Sequence, residues 1–175
     1  MIMAKIKFYI DLKNISMSDE LSSNQCNFYL IADHIDFPDK NYIGLPITIL
    51  RWMLKELRLL INKKNTIKER YVYFYPDHNN YLQFEMVDND NLKITLYKRK
   101  SKKTPIINTL LSREGKIEKT ELFCKFNEFF KEVYETSELV YDTCSKEEVL
   151  SGDLFVLQAQ LNYSKSLYNK IIKTL

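Results

Sequence analysis

Residues 71–100 read YVYFYPDHNNYLQFEMVDNDNLKITLYKRK, and their alternation decides the fold. Val72, Phe74, Leu82, Phe84, Met86, Leu92, Ile94 and Leu96 occupy one set of alternate positions. Tyr71, Tyr73, Tyr75, Tyr81, Gln83, Glu85, Lys93, Thr95 and Tyr97 occupy the other. Successive side chains of a strand point to opposite faces, so this pattern predicts strands at 71–75, 81–88 and 91–98 with one greasy and one phenolic face. The connections at 76–80 and 88–91 are rich in Pro, Asp and Asn, which suit tight turns. Short connections imply antiparallel neighbours, a meander.

Working outward, KIKFYIDL at 5–12 and NFYLIADHI at 27–35 alternate in the same way and predict two more strands. DFPDKNYIGLP at 36–46 is a loop by its prolines and glycine. Pro46 then opens a predicted helix over 46–62, where Ile47, Leu50, Leu54, Leu57 and Ile61 recur on one face. The mixed, charged stretch 101–119 reads as a long loop with a weak hairpin near Arg113, Glu114 and Gly115. From Thr120 the spacing of Leu122, Phe126, Phe129 and Val133 reads as helical. Ser145 and Glu148 fit a capping box ahead of a final helix marked by Leu154, Leu157, Leu161, Tyr168 and Ile171.

The expected order is β-β-α-β-β-β-α-α, an α+β fold with a mainly antiparallel five-stranded sheet and helices packed on one face. The length suits a single domain, 1–175, with a sheet-and-helix core at 5–136 and a C-terminal helical extension at 145–175. Taken across all five strands, Ile6, Phe8, Ile10, Phe28 and Leu30 join the greasy face, while Tyr9 and Tyr29 join the phenolic one. Tyrosine offers large contact area at low entropic cost and keeps a hydrogen-bonding tip, so that face suits a protein contact. Two plainer readings compete: tyrosine is simply a good strand residue, or the last helix folds over this face.

Composition narrows the function classes. The 175 residues are 45% hydrophobic and 28% charged, ordinary globular values that argue against wholesale disorder. With 12 Tyr, 10 Phe and only 3 Gly, the chain contains neither G-x-G-x-x-G nor G-x-x-x-x-G-K-[ST], so the common nucleotide-binding signatures are excluded. The net charge of +3 is too small to demand a nucleic-acid partner. KRKSKK at 98–103 is the basic exception, read as a solvated strand end and loop, with a polyanion contact as the alternative. Cys26, Cys124 and Cys144 form no C-x-x-C pair, MIMAKIKFYI has no signal-peptide character, and no apolar run reaches a membrane span. These features lead us to expect free thiols, a cytoplasmic location and no membrane partner.

Catalytic motifs are faint. Asp33 with His34, near Asp36, and Asp77 with His78 pair imidazole with carboxylate, as a metal site or general base would. Adjacent strand residues face opposite ways, however, and His78 falls in a turn. Pro76-Asp77 followed by Asn91-Leu92-Lys93 resembles the PD-(D/E)xK pattern of metal-dependent nucleases, but Asn91 lacks the charge to hold Mg²⁺. Cys124 lies among Phe123, Phe126 and Phe130, where a thiol acts as a small core hydrophobe, and Trp52 and Met53 read as core or core edge. We therefore expect no catalytic residue, metal or cofactor.

DHIDFPDKNYIGLPITILRWMLKEL, at 33–57, runs from a strand through a Phe-Pro loop into a Pro-started amphipathic helix. This arrangement, with the meander and Phe-rich helix after it, resembles small immunity-type proteins of polymorphic or secreted toxin systems in low-GC Gram-positive bacteria. The resemblance covers residues 5–136 and lies in the order of elements. It implies a non-enzymatic cytoplasmic protein that binds and blocks a cognate toxin or effector. The residues that would make the contact are Tyr73, Tyr75, Tyr81, Tyr97 and Arg99, with His78 at the adjoining turn. Nucleic-acid binding, or a phage anti-defence role, by the same face and the basic 98–103 segment is the second reading, and a metal-dependent hydrolase the third.

Overall fold

Strand pairing follows the alternation but divides it between two antiparallel sheets. The computed structural model describes residues 3–18, 23–62, 69–74, 79–99, 117–147 and 151–174. In the first sheet, β1 (Ile6–Ile10), β2 (Ser16–Ser18), β4 (Ile35–Phe37) and β5 (Ile43–Gly44) all pair with the ten-residue β3 (Ser23–Ala32). The second is a meander of β6 (Glu69–Phe74), β7 (Asn80–Met86), β8 (Asn91–Arg99) and β9 (Ile117–Lys125) in that order. Three helices complete the described fold: α1 (Pro46–Leu60), α2 (Phe126–Lys146) and α3 (Gly152–Ile172).

The class is α+β with antiparallel sheets, as expected, but not one five-stranded sheet. β2, β4 and β5 are too short to show a period, and only pairing with β3 defines them. Residues 117–125, expected as loop to 119 and as helix from Thr120, form a strand instead, and the helix itself starts at Phe126. Leu122 and Cys124 face inward opposite Ile94 and Leu92, and a full ladder with β8 overrides the local helical spacing. The capping box is likewise overturned. Ser145 lies inside the last turn of α2, and Ser151, just before α3, donates its hydroxyl to Asn24 Oδ1 at 2.8 Å. Asp33 and His34 are not strand residues but the turn joining β3 to β4, where Asp33 adopts φ 53°, a left-handed angle Asp tolerates.

One core serves both sheets. Phe8 stacks on Phe28 at 5.6 Å, Phe28 on Phe74 at 6.0 Å, and Phe84 meets Phe129 of α2 at 5.7 Å, so rings run from the first sheet through the second to the helices. α1 buries Ile47, Leu50, Met53, Leu54 and Leu57 against β3, β6 and β7, each worth about 1.5–3 kcal/mol of burial. The sheets are also joined by hydrogen bonds. Ala4 N donates to Phe123 O at 2.7 Å, and Tyr42 Oη donates to Phe74 O at 2.9 Å. Tyr42 reaches that carbonyl because Gly44 has no side chain; a Cβ there would stand 2.9 Å from the Tyr42 ring.

α3 packs on α1 and α2 through Leu154, Leu157, Leu161 and Ile171, and Tyr168 stacks on Tyr134 at 4.2 Å. It therefore lies over the helical layer, on the side of the second sheet that holds Val72, Phe74, Leu82 and Phe84. The opposite face of that sheet carries the tyrosines.

Candidate protein-contact face

Alternation and register together assemble this face. Tyr73 lies directly across from Tyr81, and Tyr81 from Tyr97, so three rings cross β6, β7 and β8 in one row. Tyr81 stacks on Tyr97 with ring centres 4.5 Å apart and planes 9° from parallel. Tyr73 and Tyr71 approach Tyr81 at 5.3 Å and 6.3 Å. Cross-strand aromatic pairs of this kind hold each other's rotamers as well as the ladder. Yet Tyr71 and Tyr73 remain 44% and 45% exposed, while Tyr81 and Tyr97 are half-buried.

The hydroxyls and charges are arranged within the face. Tyr97 Oη donates to Gln83 Oε1 at 2.7 Å, and Tyr71 Oη donates to Glu69 Oε2 at 2.7 Å. The Glu69 hydrogen bond is the main reason the Tyr71 phenol is pushed up to about 12. Desolvation, then the neighbouring Tyr97, raises Tyr81. Both phenols stay neutral donors at physiological pH. Lys93 pairs with Glu85, and Lys119 with Glu121 at 2.8 Å, so Glu69, Glu85 and Glu121 balance Lys93, Arg99 and Lys119. The surface is nearly neutral and its groups are already oriented.

Of the residues expected to make contact, the structure brings Tyr73, Tyr81 and Tyr97 together and sets Arg99 two positions beyond Tyr97 on the same side of β8. Tyr75 and His78 lie outside the described residues, as do Asp77 and the 100–103 part of the basic segment. Lys98 of that segment donates to Pro38 O at 2.8 Å, a structural tie to the first sheet. Tyr71 was not among the expected contacts, although its parity with Tyr73 places it on this face. Tyr9 and Tyr29 do not join it. They stack on each other at 4.9 Å in the first sheet, where Tyr29 is buried, so the idea of all five strands sharing one phenolic flank fails.

The other chemical candidates are weak in three dimensions. Among the described residues no group of three or more His, Cys, Asp or Glu side chains could hold a metal ion. Asp36 is paired with Lys40 at 3.6 Å, and Asn91 serves the turn before β8 by donating to Asp88. Burial pushes the Cys26 and Cys124 thiols up to about 12 and Cys144 to about 11, which removes the thiolate a nucleophile needs. A groove of about 920 Å³ at the ends of α1 and α3 mixes Asp88, Asp90 and Glu128 with Lys125 and Lys170, so neither sign of charge prevails. No described helix is long and apolar enough to cross a membrane. Comparison with protein-family models, curated proteins and solved structures finds no match to this chain.

Proposed function

We propose that this protein is a non-enzymatic, immunity-type inhibitor that acts in the cytoplasm, binding and blocking a partner protein, a toxin or effector, through the outer face of β6, β7 and β8. The observation that supports this reading is the row of Tyr73, Tyr81 and Tyr97 on the outer face of the sheet, with the half-exposed Tyr71 beside it. Rigid rings with neutral hydroxyls supply apolar area and hydrogen bonds while losing little side-chain entropy on binding. Internally paired charges around them suit a rim that selects a partner without strong attraction to polyanions. Nucleic acid is the weaker reading because Glu69, Glu85 and Glu121 share the face with the rings and would repel phosphates.

The test is capture of the toxin or effector made alongside this protein, followed by assay of its activity. Wild type should bind it and suppress that activity. Tyr73→Ala and Tyr97→Ala should each weaken binding about 30-fold, the scale of a hot-spot ring, with the fold intact by circular dichroism. Equal binding by wild type and both variants would reject this face as the contact. Strongly salt-dependent binding to single-stranded RNA, lost in the same variants, would replace the proposal with the nucleic-acid reading.

A further inference from the structure

The buried stripe of α3 faces α1 and α2, and its far side is unexpectedly aromatic. Phe155 and Tyr163 are 67% and 64% exposed, and Ala159 lies between them at four-residue spacing, with exposed Val156 alongside. Positions four apart share a helix face, so these residues form one apolar stripe rather than scattered exceptions.

The stripe separates two edges of opposite charge. On one side Asp153 accepts a hydrogen bond from Thr48 and pairs with Arg51 at 3.2 Å, while Arg58 donates to Gln160 at 3.2 Å and lies 5.3 Å over the Tyr163 ring. These contacts run α1 parallel to α3 and give that edge Arg51, Lys55 and Arg58. On the other side Tyr168 meets Tyr134 and donates to Glu135, and the short connection at 147–151 makes α2 antiparallel to α3. That edge exposes Glu135, Glu138 and Asp142. Two turns along α2 from Glu135 bring Asp142 level with about residue 160 of α3, the level that Lys55 also approaches.

We infer that this protein pairs with a second copy of itself through α3, the two α3 helices running parallel. Symmetry selects that arrangement. A two-fold axis lying in the interface parallel to α3 sets the Arg51, Lys55 and Arg58 edge of one protomer against the Glu135, Glu138 and Asp142 edge of its partner. An in-plane axis perpendicular to α3 would set like charges together. The self-complementary patch is what an isologous dimer requires, with the Phe155 and Tyr163 rings at its centre. The Arg58 guanidinium already holds the Tyr163 ring in place. This surface lies across the molecule from the tyrosine row and is independent of the function proposed for that row.

Sedimentation velocity on the full chain over about 1–100 µM, spanning Kd values typical of modest interfaces, is the test. The expected species has twice the 20.9 kDa chain mass at the upper end. Phe155→Glu should raise the dimer Kd at least tenfold with unchanged circular dichroism, since its ring is exposed. Lys55→Glu and Asp142→Lys should each weaken the dimer, and together restore it. A wild-type mass that stays at one chain, a dimer indifferent to Phe155→Glu, or charge variants that do not rescue each other would overturn the inference. So would a dimer lost on Tyr73→Ala, which would put the contact on the sheet instead.

Discussion

The two faces of the β6–β9 sheet grow from the same backbone and have opposite fates. Inward, Val72, Phe74, Leu82, Phe84, Ile94 and Leu96 are closed off by helices and by the first sheet. Outward, tyrosines alternate with them residue by residue, stack on one another and keep nearly half of two rings in water. Replacing Phe by Tyr adds one hydroxyl, and that oxygen resists full burial unless it finds a partner. The face with hydroxyls is therefore the one able to stay wet in the free protein and still offer large rings to a partner. The comparison predicts that inner rings carry stability and outer rings carry recognition.

The largest effect should separate the two directly. Phe84→Ala removes a ring in contact with Phe129 at the centre of the core, and should cost about 3–5 kcal/mol in urea unfolding. Tyr81→Ala, three residues earlier on the same strand but outside, should cost only about 1 kcal/mol, the loss of its ring pairs with Tyr73 and Tyr97. Equal costs for the two would show that the outer face is a second core, and the contrast would collapse.

Thiol chemistry probes the inner side on a smaller scale. Cys124 on β9 and Cys26 on β3 face the core, and burial holds both thiols near 12. Near neutral pH neither should react with a disulfide reagent in the native protein, while all three cysteines react in urea. A thiol whose folded pKa is raised contributes stability below its unfolded value, and that contribution drains away as pH climbs from there toward 12. Alkaline destabilisation should thus begin at about pH 9 and be shallower in Cys124→Ala. Rapid native labelling would mean that the inner face opens to water far more readily than the packing implies.

Much of this contrast was legible in the sequence because β6, β7 and β8 are long enough to display period two. The alternation alone puts Tyr73, Tyr81 and Tyr97 on one side. What could not be read was pairing between distant segments. Nothing in Ser16–Ser18 or Ile43–Gly44 announces a strand; each is one only because β3 offers it a ladder. Residues 120–125 read as helical for a related reason, since Leu122 keeps helical spacing with Phe126 and only β8 decides against it. Tyr9 and Tyr29 shared the parity of the other tyrosines but not their sheet, and parity carries no information about which sheet a strand joins.

The smallest effect tests what fixes the two faces in register. A slip of one residue between β7 and β8 would turn Tyr97 inward and Leu96 outward, so the turn between them guards the whole contrast. Asp88 accepts from the backbone N–H groups of Asp90 and Asn91, each at 2.8 Å, and from the Asn91 side chain. The Asn91 side-chain bond, with the two backbone bonds behind it, lowers the Asp88 carboxyl below its ordinary value. A depressed folded pKa contributes stability above the unfolded value and loses it as pH falls through the folded one. Asp88→Ala should therefore lower the melting temperature slightly near neutral pH, and the gap from wild type should close as pH falls through and below the ordinary carboxylate range. Because the ladder itself also pins the register through seven residue pairs, the variant should keep Tyr81 opposite Tyr97 and retain partner binding. A variant that melts normally yet loses binding would instead show that the turn, not the alternation, positions the tyrosine row.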